Sequence, residues 1–234
     1  MTSSTQTPQE RIKSTLERGT PSEKRALFAF DKSNTIEQVL FKMNLWMRDF
    51  FPQYFSSRDA DFHREIDRYN LMVYRGELDQ FVDAAFKGAA KTARTKLMFA
   101  FAILNDTDHF RRFIRILAED GANSTQIVTD IFNMLVSPKV AAFYPEVFAK
   151  TDAKREETMS SFTTATGVKI VAKTVYGSQR GALQEDARPD MLWFEDFENR
   201  KTLWSVKKTI AIAQNMEEAR TGLAKGGGCI YTCN

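Results

Sequence analysis

Three acidic residues follow an apolar run near the end of the sequence. The segment MLWFEDFE carries Glu195, Asp196 and Glu198 directly after four apolar residues. Unpaired buried carboxylates are costly, so something must balance their charge. If the apolar run is a strand of a parallel sheet, Glu195 and Asp196 come at its carboxyl end, where ligands bind. Their oxygens suit Mg²⁺ there, although the same acids can instead cap the following helix.

A second segment, AAFKGAAKTARTKL, predicts a loop that binds phosphate. It follows a predicted strand and opens a predicted helix, so backbone N–H groups would face phosphate oxygens. In such a loop Lys91 reaches the β- and γ-phosphates of a nucleotide, and the Thr92 hydroxyl ligates Mg²⁺. Ala85 and Ala90 stand where G-x-x-x-x-G-K-[ST] has glycine, and Gly88 is out of register. The alternative is a capped amphipathic helix with a solvated lysine.

The elements that must position these residues alternate along the chain. Apolar periodicity predicts helices at 20–30, 34–51, 59–72, 92–104, 123–137 and 202–220. Strands are predicted at 80–86, 113–119, 191–195 and 226–232, with a hairpin over 159–177 that turns at ATG. Residues 1 to about 20 are polar, and we predict a frayed segment there. This alternation predicts an α/β fold with a mostly parallel sheet covered on both faces.

The composition favours one sizeable α/β domain. The chain has 234 residues, of which 43% are hydrophobic and 27% charged. No apolar stretch approaches the roughly 20 residues of a membrane span, and the polar N-terminus lacks the apolar core of a signal peptide. The net charge of +3 permits a nucleic-acid partner without requiring one. We therefore expect a cytoplasmic protein with no membrane association. No histidine lies near Cys229 and Cys233, which argues against zinc.

Beyond these patterns, the sequence from about residue 50 to 234 resembles the ATPase domain of a tailed-phage large terminase, the DNA-packaging motor subunit. The resemblance follows the family's order of motifs through FFPQYF and ADFHREI, FKGAAKTARTKL, FIRILAEDGANSTQIVTDIFNMLVSPKVAAFYPEVF, TTATGVKIVAKTVYGSQRGALQEDARPDMLWFEDFEN and CIYTCN. The hairpin, Arg-Gly, Arg-Pro-Asp, apolar strand and acids form its most specific stretch. The implied fold is a P-loop NTPase with a small helical N-terminal region.

The resemblance also implies roles for the loop. Lys91 is similar to the Walker A lysine that grips phosphate, and Thr92 to the hydroxyl that ligates magnesium. The implied nucleotide-binding segment is Lys87, Gly88, Ala89, Ala90, Lys91 and Thr92. Lys87 stands where the family often has arginine, so a role that depends on the arginine fork does not carry over.

The acids have implied roles too. Glu195 occupies the Walker B position, which holds Mg²⁺ together with Thr92, and Asp196 the position of the carboxylate that orients the attacking water. An alternative register makes Asp196 the metal ligand and Glu198 the base. Thr232 resembles the hydroxyl of the coupling motif, which senses the γ-phosphate.

The implied organisation is a helical N-terminal region or lid over 1–60 and a P-loop ATPase core over 61–234. Family proteins also carry a C-terminal nuclease domain, and no sequence follows the coupling motif here. We therefore expect an excised or truncated ATPase domain without nuclease activity. The implied activity is Mg²⁺-dependent ATP hydrolysis that drives double-stranded DNA into a procapsid in the host cytoplasm. The implied partners are a portal protein, a small terminase subunit and other copies in a ring.

Two rival functions stay open on the sequence alone. In one, the acids form the metal site of a nuclease and the Lys-Thr pair is incidental. In the other, the degenerate loop has lost catalysis, and the domain is a catalytically weak, nucleotide-binding ring module. Nucleotide binding separates the first rival from the ATPase, and turnover separates the second.

Overall fold

The structure is a computed structural model that describes residues 8–55, 58–147, 160–176, 188–197 and 204–233. Its helices are α1 (Pro8–Arg18), α2 (Pro21–Phe28), α3 (Ile36–Phe50), α4 (Asp61–Arg75), α5 (Lys91–Asn105), α6 (Gly121–Leu135), α7 (Pro138–Phe143) and α8 (Val206–Thr221). Its strands are β1 (Gln80–Asp83), β2 (Phe113–Ala118), β3 (Ser161–Thr163), β4 (Lys169–Thr174), β5 (Met191–Glu195) and β6 (Gly228–Thr232). Short 3-10 helices span Pro52–Phe55 and Pro145–Val147.

The strands form one six-stranded sheet in the order β1-β6-β5-β2-β4-β3. Neighbouring strands are parallel from β1 to β4, and the β3–β4 hairpin is antiparallel. The predicted α/β fold with a mostly parallel sheet is therefore confirmed. Both β5 and β6 are buried along their whole length, as expected for central strands covered on both faces.

Helices cover the sheet unequally. The larger apolar core lies on one face, where α5 and α6 pack against the sheet, which contributes side chains such as Ile116, Trp193 and Ile230. Helix α3 packs against α4 and α5 and adds its apolar side to the same core. A smaller cluster lies on the other face, where Ile212 and Ala219 of α8 meet apolar side chains of β5 and β6. Burial of this apolar surface is the main force that holds the layers together. No helix in the described ranges is long and apolar enough to cross a bilayer.

The carboxyl ends of the parallel strands align in one row. Register pairs Asp83 of β1 with Thr232 of β6, and Thr232 with Glu195 of β5. The row continues from Glu195 through Ala118 of β2 to Thr174 of β4. Acidic and hydroxyl side chains from four strands thus meet at the edge where α/β sheets bind their ligands.

Three of the differences from the sequence prediction have a clear local cause. Pro8–Arg18 forms a helix where we expected a frayed segment, because Leu16 packs against the larger core. Strand β1 ends at Asp83, three residues early, because the Asp83 carboxylate accepts the Ala85 N–H and turns the chain. Helix α6 begins at Gly121 because Asp120 caps it.

Candidate functional site

The loop between β1 and α5 turns sharply at two positions with positive φ. Gly88 has φ 94°, which glycine adopts without strain, and Ala90 has φ 57° as the residue before α5. An alanine in the left-handed region costs about 1–2 kcal/mol. Ala90 occupies a position that the consensus phosphate loop gives to glycine. Backbone geometry thus explains the preference for glycine at this position.

Lys91 begins α5 and turns back over the loop. Its ammonium group donates to the carbonyl oxygens of Ala85 and Phe86, the second at 3.2 Å. Although the residue is only 6% exposed, its charge remains beside the loop at the helix N-terminus. Anions are favoured at a helix N-terminus, and an ammonium group held there adds to that attraction.

Across the loop, Glu195 lies between two hydroxyl groups. Its Oε1 accepts from Thr92 of α5, and its Oε2 accepts from Thr232 of β6. The indole Nε1 of Trp193 donates to the Thr232 hydroxyl oxygen at 2.8 Å. This donation occupies the oxygen and directs the hydroxyl proton toward Glu195. The loop, the central strand and its neighbour therefore converge on one carboxylate.

Burial raises the pKa of the Glu195 carboxyl group above its usual value. The hydrogen bonds from Thr232 and Thr92 lower that pKa, while the nearby charge of Asp196 raises it. Glu195 itself is only 3% exposed. A buried carboxylate satisfied mainly by neutral hydroxyls is stabilised further by a cation. The Glu195 carboxylate and the two hydroxyl groups beside it supply oxygen atoms of the type that Mg²⁺ prefers as ligands.

Asp196 follows Glu195 with a backbone that leaves the strand. Its φ is 39°, a conformation that Asp and Asn tolerate better than other residues with a side chain. Its N–H donates to the carbonyl oxygen of Thr232 at 3.0 Å, which ties it to β6. The side chain is half-buried, in contrast to the fully buried Glu195 beside it.

Asp83 is a site residue that the sequence reasoning missed. It ends β1, is 3% exposed, and pairs in register with Thr232. One carboxylate oxygen accepts the Ala85 N–H at 3.1 Å, and Oδ2 has no hydrogen-bond partner within the described residues. Burial raises its pKa, and the Lys91 charge lowers it. An acid at the end of an apolar strand, just before the loop, was the available signal.

The predicted site residues fall into three groups. Thr92, Thr232 and Glu195 come together at the sheet edge with Asp196 next to them, and Lys91, which precedes Thr92, contacts the loop. Along the loop, Lys87, Gly88 and Ala90 are exposed, while Ala89 is buried. Glu198 lies outside the described residues.

A cavity of about 250 Å³ opens beside the loop. Gly88, Ala90 and Arg94 line it on the side of α5, and Phe55 and His63 line it on the side of the preceding segment. Arg94 is held there by Asp67, through Nε at 2.9 Å and a second nitrogen at 2.5 Å, and by Asp59 at 2.9 Å. A paired guanidinium at this depth fixes the wall of the cavity.

The described residues contain no group of three or more His, Cys, Asp or Glu side chains arranged to hold a metal. The edge of the sheet instead offers Glu195 with two hydroxyls, a sparse set that leaves positions for water and phosphate oxygens. Mg²⁺ is commonly bound in this way, through one or two carboxylates together with substrate phosphates.

No family model matches the sequence, and no curated protein matches it.

Proposed function

We propose that this protein is a Mg²⁺-dependent ATPase of the P-loop type, similar to the motor domain of a large terminase. The contact between Thr92 and Glu195 carries the proposal. It joins the first turn of the helix after a tight loop to the carboxylate at the end of β5. A hydroxyl and a carboxylate so joined are the two protein ligands that such ATPases use for magnesium.

The residues fit both ligands of this reaction. The loop would receive the phosphates through its backbone N–H groups and the Lys91 ammonium. Thr92 and Glu195 would hold Mg²⁺, which when bound neutralises charge on the phosphate oxygens. The raised pKa of Glu195 supports this assignment, because a buried carboxylate of this kind gains most from a cation.

The proposed chemistry is in-line attack of water on the γ-phosphate. Asp196 would orient the water, since its carboxylate leaves the sheet edge next to Glu195. Thr232 would sense the γ-phosphate through its hydrogen bond to Glu195. Catalysis of this kind rests on positioning and charge neutralisation. In the alternative register, Asp196 holds the metal and Glu198 acts as the base.

We further propose that hydrolysis drives double-stranded DNA into a procapsid in the host cytoplasm. The proposed partners are a portal protein, a small terminase subunit and neighbouring copies in a ring. These proposals rest on the resemblance of the ordered motifs, together with the geometry of the loop and acids. Of the two rivals, a nuclease gains no support from the described acids. A specific observation favours the catalytically weak module: Ala90 carries strain in the left-handed region that glycine would not carry.

The first test is titration with a non-hydrolysable ATP analogue, with and without Mg²⁺, on wild type and Lys91→Ala. We expect magnesium-dependent binding by the wild type. The Lys91→Ala variant should lose about tenfold or more in affinity, since a hydrogen bond to a charged group contributes about 1.5–3 kcal/mol. Circular dichroism should show that the variant remains folded.

Lys32→Ala is the matched control, because Lys32 is exposed and lies beside the opposite end of α5. It should bind the analogue like the wild type. Equal binding by the Lys91→Ala variant would remove the loop from the site. Absence of nucleotide binding by the wild type would favour the nuclease rival.

A further inference from the structure

Asp83, at the end of β1, takes no part in the reaction proposed above. It is 3% exposed, and one carboxylate oxygen accepts the Ala85 N–H at 3.1 Å. The other oxygen, Oδ2, has no hydrogen-bond partner, and no cation of the described residues forms an ion pair with the carboxylate. A buried carboxylate without a paired cation is costly, so its charge calls for an explanation.

Register places Asp83 on the same side of the sheet as Glu195, with Thr232 between them. The residues two positions earlier on β1, β6 and β5 all contribute to the larger apolar core, namely Phe81, Ile230 and Trp193. Side chains two residues apart on a strand lie on one face. Because neighbouring strands are about 4.8 Å apart, the backbones of Asp83 and Glu195 are separated by roughly twice that distance. Helix α5 begins over the same face, since Thr92 donates to Glu195.

Asp83 and Lys91 lie on either side of residue 85 in the loop. The Lys91 ammonium group donates to the carbonyl oxygen of Ala85, and the Asp83 carboxylate accepts from the N–H of the same residue. Burial raises the pKa of Asp83, while the hydrogen bond from Ala85 and the charge of Lys91 lower it. The charge of Asp83 thus interacts with the lysine that is proposed to bind phosphate.

Acids outnumber lysines around the proposed phosphate site. Asp83, Glu195 and Asp196 stand at the sheet edge, and the loop brings Lys87 and Lys91. A buried charge is screened less by water than an exposed one, so it acts over a longer distance. The carboxylates therefore oppose a free nucleotide, whose phosphates are negative. A nucleotide that arrives with Mg²⁺ brings positive charge, which offsets this repulsion.

We propose that Asp83 makes nucleotide binding depend on Mg²⁺, because its buried charge repels phosphates that arrive without the ion. The inference rests on the proposed ATPase function and adds a specificity-determining residue to it. Glu195 would favour the ion by direct contact, whereas Asp83 acts through its charge, without contact to the nucleotide. If Asp83 only fixed the turn at Ala85, removal of its charge alone would leave the dependence on Mg²⁺ unchanged.

The test is titration of a non-hydrolysable ATP analogue in excess Mg²⁺ and in EDTA, and the quantity compared is the ratio of the two dissociation constants. The wild type should bind about tenfold or more weakly in EDTA. Asp83→Asn removes the charge and retains an oxygen that accepts the Ala85 N–H. This variant should bind the analogue about tenfold more tightly than the wild type in EDTA and about equally in Mg²⁺. The ratio should therefore fall about tenfold.

Asp79→Asn is the matched control, because Asp79 is exposed and precedes the opposite end of β1. It should keep the wild-type ratio. Asp83→Ser also retains a side-chain oxygen that can accept the Ala85 N–H and carries no charge. It should behave like Asp83→Asn, so the test does not depend on the folding of one variant. The melting temperature of Asp83→Asn should equal or exceed that of the wild type, since an unpaired buried charge is gone.

A wild-type ratio in the Asp83 variants, or an equal loss of affinity with and without Mg²⁺, would overturn the proposal. The same fall of the ratio in Asp79→Asn would overturn it as well, because the effect would then follow net charge and not position. A wild type that binds equally well in EDTA would overturn the role of Asp83 and leave the nucleotide site in place. Absence of binding by the wild type in both conditions would remove the ATPase assignment, and the role of Asp83 with it.

Discussion

Glu195 is the residue whose protonation state matters most for the site. It lies in the sheet between Thr92 and Thr232, and burial raises its pKa. The folded protein therefore holds this proton more tightly than the unfolded chain does. The resulting stabilisation is fully present below the unfolded value, about pH 4.3, and is lost as pH rises through the raised folded pKa.

We expect Glu195→Gln to remove this pH dependence. The variant should melt a few degrees above the wild type at pH 8 and close to it at pH 4, because the buried charge is gone. Thermal unfolding between pH 4 and 8 measures the difference. Glu65→Gln, at an exposed position of α4, is the control and should follow the wild type. A Glu195→Gln variant that is less stable than the wild type at pH 8 would mean that hydroxyl donation outweighs the cost of burial.

Mutations can distinguish the two alternative assignments of roles to Asp196 and Glu198. Asparagine tolerates the φ of 39° at position 196, so Asp196→Asn changes the chemistry and retains the backbone. If Asp196 orients the water, this variant should bind ATP with Mg²⁺ but hydrolyse it about 10²-fold more slowly or worse. Glu198→Gln should then keep most of its activity. Steady-state turnover and analogue binding measure the two effects, and the reverse pattern would favour the shifted register. Negligible effects of both would support the helix-cap interpretation.

At the scale of elements, the loop between β1 and α5 contains both the proposed phosphate site and a strained residue, Ala90. Ala90→Gly should relieve the left-handed alanine and offset the greater entropy of glycine in the unfolded chain. We expect a gain of about 0.5–1 kcal/mol, which corresponds to roughly 1–4 °C in a chain of this size. Nucleotide affinity should rise or stay equal. Ala89→Gly is the control: Ala89 is buried without positive φ, so that variant should lose stability.

The helices were the most predictable elements because their signals are local. Apolar periodicity predicted a helix over 34–51, and α3 spans Ile36–Phe50, with Thr35 as its cap and Pro52 just after it. The order of the strands was not predictable from the residues, since β1 pairs with a strand at the other end of the chain. The contact between Thr92 and Glu195 was expected only because the sequence predicted a parallel sheet and resembled a known ATPase family. Asp83 was missed because an acid after an apolar run also reads as a simple strand end.

At the scale of the whole molecule, one sheet joins the loop after β1 to the acidic carboxyl ends of its central strands. In motors of the proposed kind, an arginine from a neighbouring subunit stabilises charge in the transition state and contributes about 10³–10⁵ in rate. We therefore expect slow ATP turnover by the dilute chain and a rise in activity per subunit with protein concentration. The test is to measure the ATPase activity per subunit across a dilution series, with light scattering to determine the oligomeric state at each concentration. Fast turnover that stays constant in a demonstrated monomer would remove the neighbour from the mechanism.

The pairing of β1 with β6 also has a consequence for biosynthesis. The N–H of Cys233, just beyond β6, donates to the carbonyl oxygen of Asp83, and the two residues are 150 positions apart. At about 5–20 residues per second, a ribosome needs roughly 8–30 s to make the intervening chain. During that interval the phosphate-loop strand has neither its neighbour nor Glu195 beside it. A nascent chain therefore carries an unpaired strand edge, the kind of surface that chaperones protect, and the proposed nucleotide site is complete only when translation has passed β6.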